Sequence, residues 1–169
     1  MPKGLKETSS LITISALVVE SGVNTFTEER VDLQLNPLDN EVFICYAIDV
    51  NAGNPDLNAN LSSATFASLS TTSRTTVGSI ADSNVLAIAQ HAIKNDGASA
   101  VSFSEYAPQT PTGVGLDYIG IIATNDFFIQ LLGQNNLVPK DCEVRVYGVR
   151  AKADASIYAA LVQSEMLSS

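Results

Sequence analysis

Apolar and polar residues alternate along much of the chain. Between Leu11 and Val19, Ile12, Ile14, Ala16 and Val18 fall on one face, with Thr13 and Ser15 on the other. Val31, Leu33 and Leu35 alternate with Asp32 and Gln34, and Val144, Val146 and Gly148 with Glu143, Arg145 and Tyr147. Successive side chains of a strand point to opposite faces, so a period of two predicts strands with one face in a core and one in water. Turn residues punctuate the pattern at Ser21-Gly22, Asn36-Pro37, Asp39-Asn40, Gly53-Asn54-Pro55, Asn95-Asp96-Gly97 and Pro139-Lys140-Asp141. About eight or nine strands at this spacing predict an all-β chain folded as an antiparallel two-sheet sandwich or a barrel.

Three runs break the alternation by being apolar on both faces: Val42 to Ile48, Ile119 to Ala123, and Phe127 to Leu132, the last interrupted only by Gln130. Thr124-Asn125-Asp126 joins the second run to the third and reads as a hairpin turn. A sandwich strand needs one apolar face only, so a second cover is implied: a helix, a loop or a neighbouring subunit. Low charge elsewhere favours the subunit, which makes Phe43, Tyr46, Phe127, Phe128 and Leu131 candidate interface residues.

Two segments have a different texture. Leu57 to Asn84 is dense in Ser and Thr and reads as a long loop or as polar strands on a packed wall. From Ala151 onward, Asp154 is a candidate cap, and Ile157, Ala160, Leu161 and Ser164 form one helical stripe. The run Val85 to Ile93 fits either a strand or a short helix, and a strand is the better fit. The resulting organisation is a flexible N-terminal arm over 1–10, a sandwich over 11–150, and a C-terminal helix and tail over 151–169.

Composition then narrows the function classes. Of 169 residues, 46% are hydrophobic and only 16% charged, with a net charge of −9. Ample apolar content excludes a disordered chain. No run reaches the roughly 18 apolar residues of a membrane span. The acidic balance argues against gripping nucleic acid by charge, and only Lys3 and Lys6 stand near the N-terminus, so no basic arm is present. Lys3 and Lys6 precede an apolar stretch, but Glu7, Thr13 and Ser15 and the lack of a small-residue cleavage site speak against a cleaved signal. Cys45 and Cys142 sit in apolar runs without a C-x-x-C spacing, which suits small buried side chains; whether they pair is left open.

Catalytic chemistry finds little to work with. His91 is the one histidine, no G-x-S-x-G elbow exists, and the adjacent Glu28 and Glu29 point to opposite faces of a strand. Thr112-Gly113-Val114-Gly115 lacks the Lys-Ser/Thr that completes a phosphate loop. The best ligand candidate is Asp49-Val-Asn51-Ala-Gly53-Asn54-Pro-Asp56, whose alternating oxygen side chains are similar to the start of a calcium loop. Asp49, Asn51 and Asp56 are therefore candidate calcium ligands, against a plain Asx-rich turn. No other cofactor is expected. Asn60-Leu61-Ser62 is a formal glycosylation sequon, relevant only on a secretory route.

Over roughly residues 10–150 the chain resembles viral single jelly-roll capsid proteins. The likeness rests on Leu35-Asn36-Pro37-Leu38 before a two-sided apolar strand, the Ser/Thr-rich middle, the Ile119 to Leu132 segment, and the strand Glu143 to Arg150; Ser156 to Leu161 fits an added terminal helix. The resemblance implies a jelly-roll-like sandwich of two four-stranded sheets, homo-oligomeric assembly into a closed symmetric shell within a virion, contacts with other virion proteins, and no enzymatic activity. The missing basic arm departs from many members. The alternatives are a phage tail-tube or capsid decoration protein, in which an acidic lumen lets DNA slide, a carbohydrate-binding or adhesin sandwich, and, last, an enzyme. The absence of Trp weighs against sugar stacking.

Overall fold

A computed structural model describes residues 3–108 and 116–168. Thr112-Gly113-Val114-Gly115 lies outside them. In chain order the elements are β1 (Leu5–Glu7), β2 (Ile12–Val19), β3 (Thr27–Asp32), a 3-10 turn (Pro37–Asp39), β4 (Glu41–Ala52), β5 (Ser63–Ser70), β6 (Val85–Asn95), β7 (Ala100–Ala107), β8 (Gly120–Ile122), β9 (Asp126–Gln134), β10 (Asp141–Ala153) and α1 (Ala155–Leu167).

Two antiparallel five-stranded sheets form the sandwich. The first runs β10-β4-β8, with β1 and β2 sharing the other edge of β10; the second runs β3-β9-β5-β6-β7. The pairings β2 with β10, β3 with β9, β4 with β8, and β5 with β6 nest inside one another. They are the pairings of one long hairpin, with β2 and β10 at its open end, rolled up so that neighbouring pairs land in opposite sheets. That winding is jelly-roll-like. β1 and β7 are additions at the sheet edges.

The core lies where the inner faces meet. Phe43, Leu69, Phe127, Ile129, Leu131 and Val146 are all buried there. Gly148 sits at a register shift between β10 and β4, where a Cβ would run into the Ile44 carbonyl and the Phe43 ring.

The two-sided apolar runs find their second cover inside the chain. On β4, Phe43 and Cys45 face the core, while Val42 and Ile44 face α1 together with Val149, Ala151 and Ala153. Ile157, Tyr158, Leu161 and Val162 of α1 pack on that cluster. Each fully buried side chain of this size contributes about 1.5–3 kcal/mol over an exposed one. The stripe is rotated from the expected one: Ala160 and Ser164 face water, and Glu165 is the buried polar member. Asp154 holds the cap position without a side-chain hydrogen bond.

On β9, Phe127, Ile129 and Leu131 face the core, and Gln130 is fully buried on the opposite face. There the Ser/Thr-rich segment forms β5 and then crosses the outer face as residues 71–84. Arg74 N donates to Glu28 on β3 (2.8 Å), and Gly78 N donates to Ser68 Oγ on β5 (2.8 Å). Gln130 Nε2 donates to Glu28 Oε2 and to Ser70 Oγ, both at 2.8 Å, and Ser68 Oγ donates to Gln130 Oε1 at 2.7 Å. This polar seam holds the crossing segment down.

Several expectations change. Thr124-Asn125-Asp126 is not a hairpin turn, because β8 belongs to the first sheet and β9 to the second. It crosses between sheets, and Asn125 accepts from Leu33 N (2.8 Å) and, through Oδ1, from Leu35 N (2.5 Å). The arm over 1–10 contains β1, whose Leu5–Glu7 pair with Ala151–Ala153. β10 therefore runs past residue 150, and the helix begins at Ala155. Val85 to Ile93 is a strand, as preferred. β7 was not anticipated, although Val101 and Phe103 alternate with Ser102 and Ser104.

Candidate interaction surface

The calcium candidates are not brought together. Asp49 and Asn51 lie at the C-terminal end of strand β4, not in a loop, because β4 continues to Ala52. Register places Asp49 opposite Arg145 and Asn51 opposite Glu143. These four, with Ser15 and Leu17, line an open groove of about 520 Å³ on the part of the first sheet that α1 leaves bare. Asp56 lies in the following loop and is engaged elsewhere. Its Oδ1 is 2.6 Å from Lys140 Nζ, and its Oδ2 accepts from Leu137 N (2.9 Å) and Val138 N (3.2 Å). The Lys140 hydrogen bond and the backbone donors hold its carboxyl below the usual range. Among the described residues no group of three or more His, Cys, Asp or Glu side chains is placed to hold a metal ion.

Most interface candidates are occupied as well. Phe43, Phe127 and Leu131 are core residues, closed to a partner in the folded chain. Phe128 and Tyr46 are half-buried. Tyr46 Oη donates to Glu7 Oε1 at 2.8 Å, and burial followed by that hydrogen bond raises its pKa. His91 Nε2 meets Tyr106 Oη at 2.7 Å in an edge-on ring contact.

What the fold does present is a stitched set of loops. The loops β2–β3, β4–β5, β6–β7 and β9–β10 bond to one another through Asn and Asp. Asn24 Nδ2 donates to the Asn136 carbonyl (3.0 Å), and Asn136 N returns a bond to Asn24 Oδ1 (2.8 Å). Asn136 Oδ1 accepts from Asp56 N (2.9 Å), and its Nδ2 donates to the Ala64 carbonyl (2.9 Å). Asn95 Nδ2 donates to the Asn58 carbonyl (2.8 Å). Glu20, itself buried, accepts from Gly133 N (2.5 Å) and Lys140 N (2.8 Å). A side chain at Gly133 would meet Glu20 and Asn136, so glycine keeps that approach open. Asn24, Asn60 and Asn135 hold left-handed backbone with φ of 53°, 60° and 53°. Asparagine tolerates that region, so several of these residues both turn the chain and tie loops together. A loop set cross-bonded in this way resists local opening.

On this scaffold the tips are apolar: Val23, Leu57, Leu137 and Val138 are 43%, 66%, 63% and 52% exposed. Each sits beside a stitching residue, Asn24, Asp56 or Asn136, or, for Val138, donates its own N–H to Asp56. Sequence reasoning saw the Asx-rich turns but read them as ligands or as isolated turns. Their density around 51–60 and 135–136 was the available signal.

The second exposed feature is β7. Among the described residues it pairs with β6 on one side only and forms the free edge of the second sheet. Compared with family models, with curated proteins and with solved structures, the chain matches none.

Proposed function

We propose that this protein is a virion structural protein that self-assembles as a capsid shell subunit through symmetric protein–protein contacts. The observation that carries the reading is the jelly-roll-like winding, closed at one set of loops by an Asn/Asp network that presents Val23, Leu57, Leu137 and Val138 to solvent. A fold by itself does not imply a function. Rigid apolar tips are a different kind of support, because preorganised loops lose little entropy on association and apolar tips gain from burial.

Charge fits the same role. With a net charge of −9 over these residues, the subunit encloses nucleic acid without gripping it by charge. The chain acts by assembly rather than catalysis. Its principal partner is itself, in closed symmetry, and each stable contact buries on the order of 1,000 Å² or more.

Negative-stain microscopy of the purified chain across salt and concentration tests the reading. Closed particles support it. Rings or open tubes favour the tail-tube alternative, and a monomer under every condition overturns self-assembly. Replacing Leu57 and Leu137 together by Asp leaves the folded subunit intact, because both side chains are exposed, and abolishes particles.

A further inference from the structure

We infer that β7 is a homotypic docking edge, pairing antiparallel with β7 of a second copy across a two-fold axis. Four observations point to this partner.

First, β7 overhangs the sandwich. The first sheet is three strands wide over most of its length and the second four, and every residue of Ala100–Tyr106 is exposed. Val101, Phe103 and Tyr106 are 56%, 52% and 41% exposed. Second, the outward backbone of an eight-residue edge is a row of donors and acceptors that only another extended strand matches well. Third, the strand is thinly guarded. Soluble proteins blunt long edges with lysine, proline, charge or bulges. β7 contains no lysine or proline, only Glu105 as a charge, and its pairing with β6 runs without a register shift. The opposite edge of the same sheet, β3, is guarded by Glu28, Glu29, Arg30 and Asp32. Against an acidic chain, β3 is a poor docking strand for β7 and β7 itself a good one.

Fourth, the strand is complementary to itself in one register. With Phe103 opposite Phe103 of the second copy, Val101 lies opposite Glu105, Ser102 opposite Ser104, and Ala100 opposite Tyr106. The two rings meet as a cross-strand aromatic pair, and the two Glu105 carboxylates stand about four positions apart. The two five-stranded sheets then join into one ten-stranded sheet. A single strand edge buries less than a standard stable interface, so the contact is weak alone and acts together with others in an assembly. The identity of the partner rests on the self-assembly reading; the free edge does not.

Directed cross-linking tests the register. Opposed residues of an antiparallel pair have Cα atoms about 4.5–5.5 Å apart, within disulfide reach. Phe103→Cys should yield a covalent dimer under mild oxidation. Val101→Cys, whose copies lie about four residues or ~14 Å apart, should yield at least tenfold less. Cys45 and Cys142 are buried and do not compete. Absence of the Phe103→Cys dimer, or equal yields from both variants, overturns the inference. Both variants should melt as wild type does, because both side chains are exposed. The same samples are imaged: particles without the cross-link sink the edge and leave the shell reading standing, whereas the cross-link without particles sinks the shell and leaves the edge.

Discussion

Gln130 is the polar interruption of an otherwise apolar run, and replacing it with leucine should destabilise the protein rather than improve the run. The side chain is fully buried and makes three hydrogen bonds, to Ser68, Ser70 and the Glu28 carboxylate. Gln130→Leu is close to isosteric and recovers about 1–2 kcal/mol by removing a buried amide. Against that gain, the Ser68 hydroxyl loses its acceptor and stays buried, at about 1–3 kcal/mol, and Glu28 loses a charged hydrogen bond of about 1.5–3 kcal/mol. Ser70 keeps its bond to the Thr72 carbonyl (2.6 Å) and adds little. The net cost is about 2–3 kcal/mol. At roughly 2–4 °C per kcal/mol for a chain of this size, the melting temperature should fall by about 4–12 °C. Urea unfolding should show a lower midpoint at unchanged slope. Because the seam pins residues 71–84, limited proteolysis within that segment should speed up in parallel. A stability change under about 0.5 kcal/mol with unchanged proteolysis would refute the account of how β9 is covered.

Other outcomes follow from the same structure. Gly148→Ala forces a Cβ against the Ile44 carbonyl and the Phe43 ring, both held in the core, and should cost more than about 3 kcal/mol, seen as loss of soluble folded protein. Glu165 of α1 accepts from Ala123 N (2.8 Å) and Thr124 N (2.9 Å), and burial raises its pKa. The folded state therefore holds the proton more tightly than the unfolded one, so the stabilisation is complete below the ordinary Glu range and is lost as pH rises through the raised value; Glu165→Gln should flatten that slope in pH-dependent urea unfolding. Asp56→Asn leaves the buried Lys140 ammonium without its carboxylate and should cost about 2 kcal/mol. The lowered Asp56 pKa gives the opposite pH sense: its stabilisation is present above the usual Asp range and is lost on acidification. Burial pushes both thiols up to about 12, so Cys45 and Cys142 should resist thiol reagents in the native protein and react fully after denaturation.

Alternation along the chain is sufficient to read an all-β sandwich and most strand positions, and a helical stripe after Asp154 the C-terminal helix. Period two depends only on neighbouring side chains pointing to opposite faces, and a core that rejects water enforces it locally. The pattern of Val101 and Phe103 with Ser102 and Ser104 carries β7 equally. What lay beyond the sequence was the identity of partners. The run Val42 to Ile48 announced two covers without naming them; the fold supplies the opposite sheet and α1. Cys45 lies opposite Gly148 and Cys142 opposite Ala52, so about six residues of strand, or ~20 Å, separate two thiols that the sequence left unassigned. Asp49, Asn51 and Asp56 look like one ligand set in a line of text, yet strand geometry gives the first two to a sheet face and Lys140 takes the third. Local chemistry sets which face of a strand is apolar. Only the rolled pairing of strands far apart in the chain decides what lies against that face, and which edge is left free.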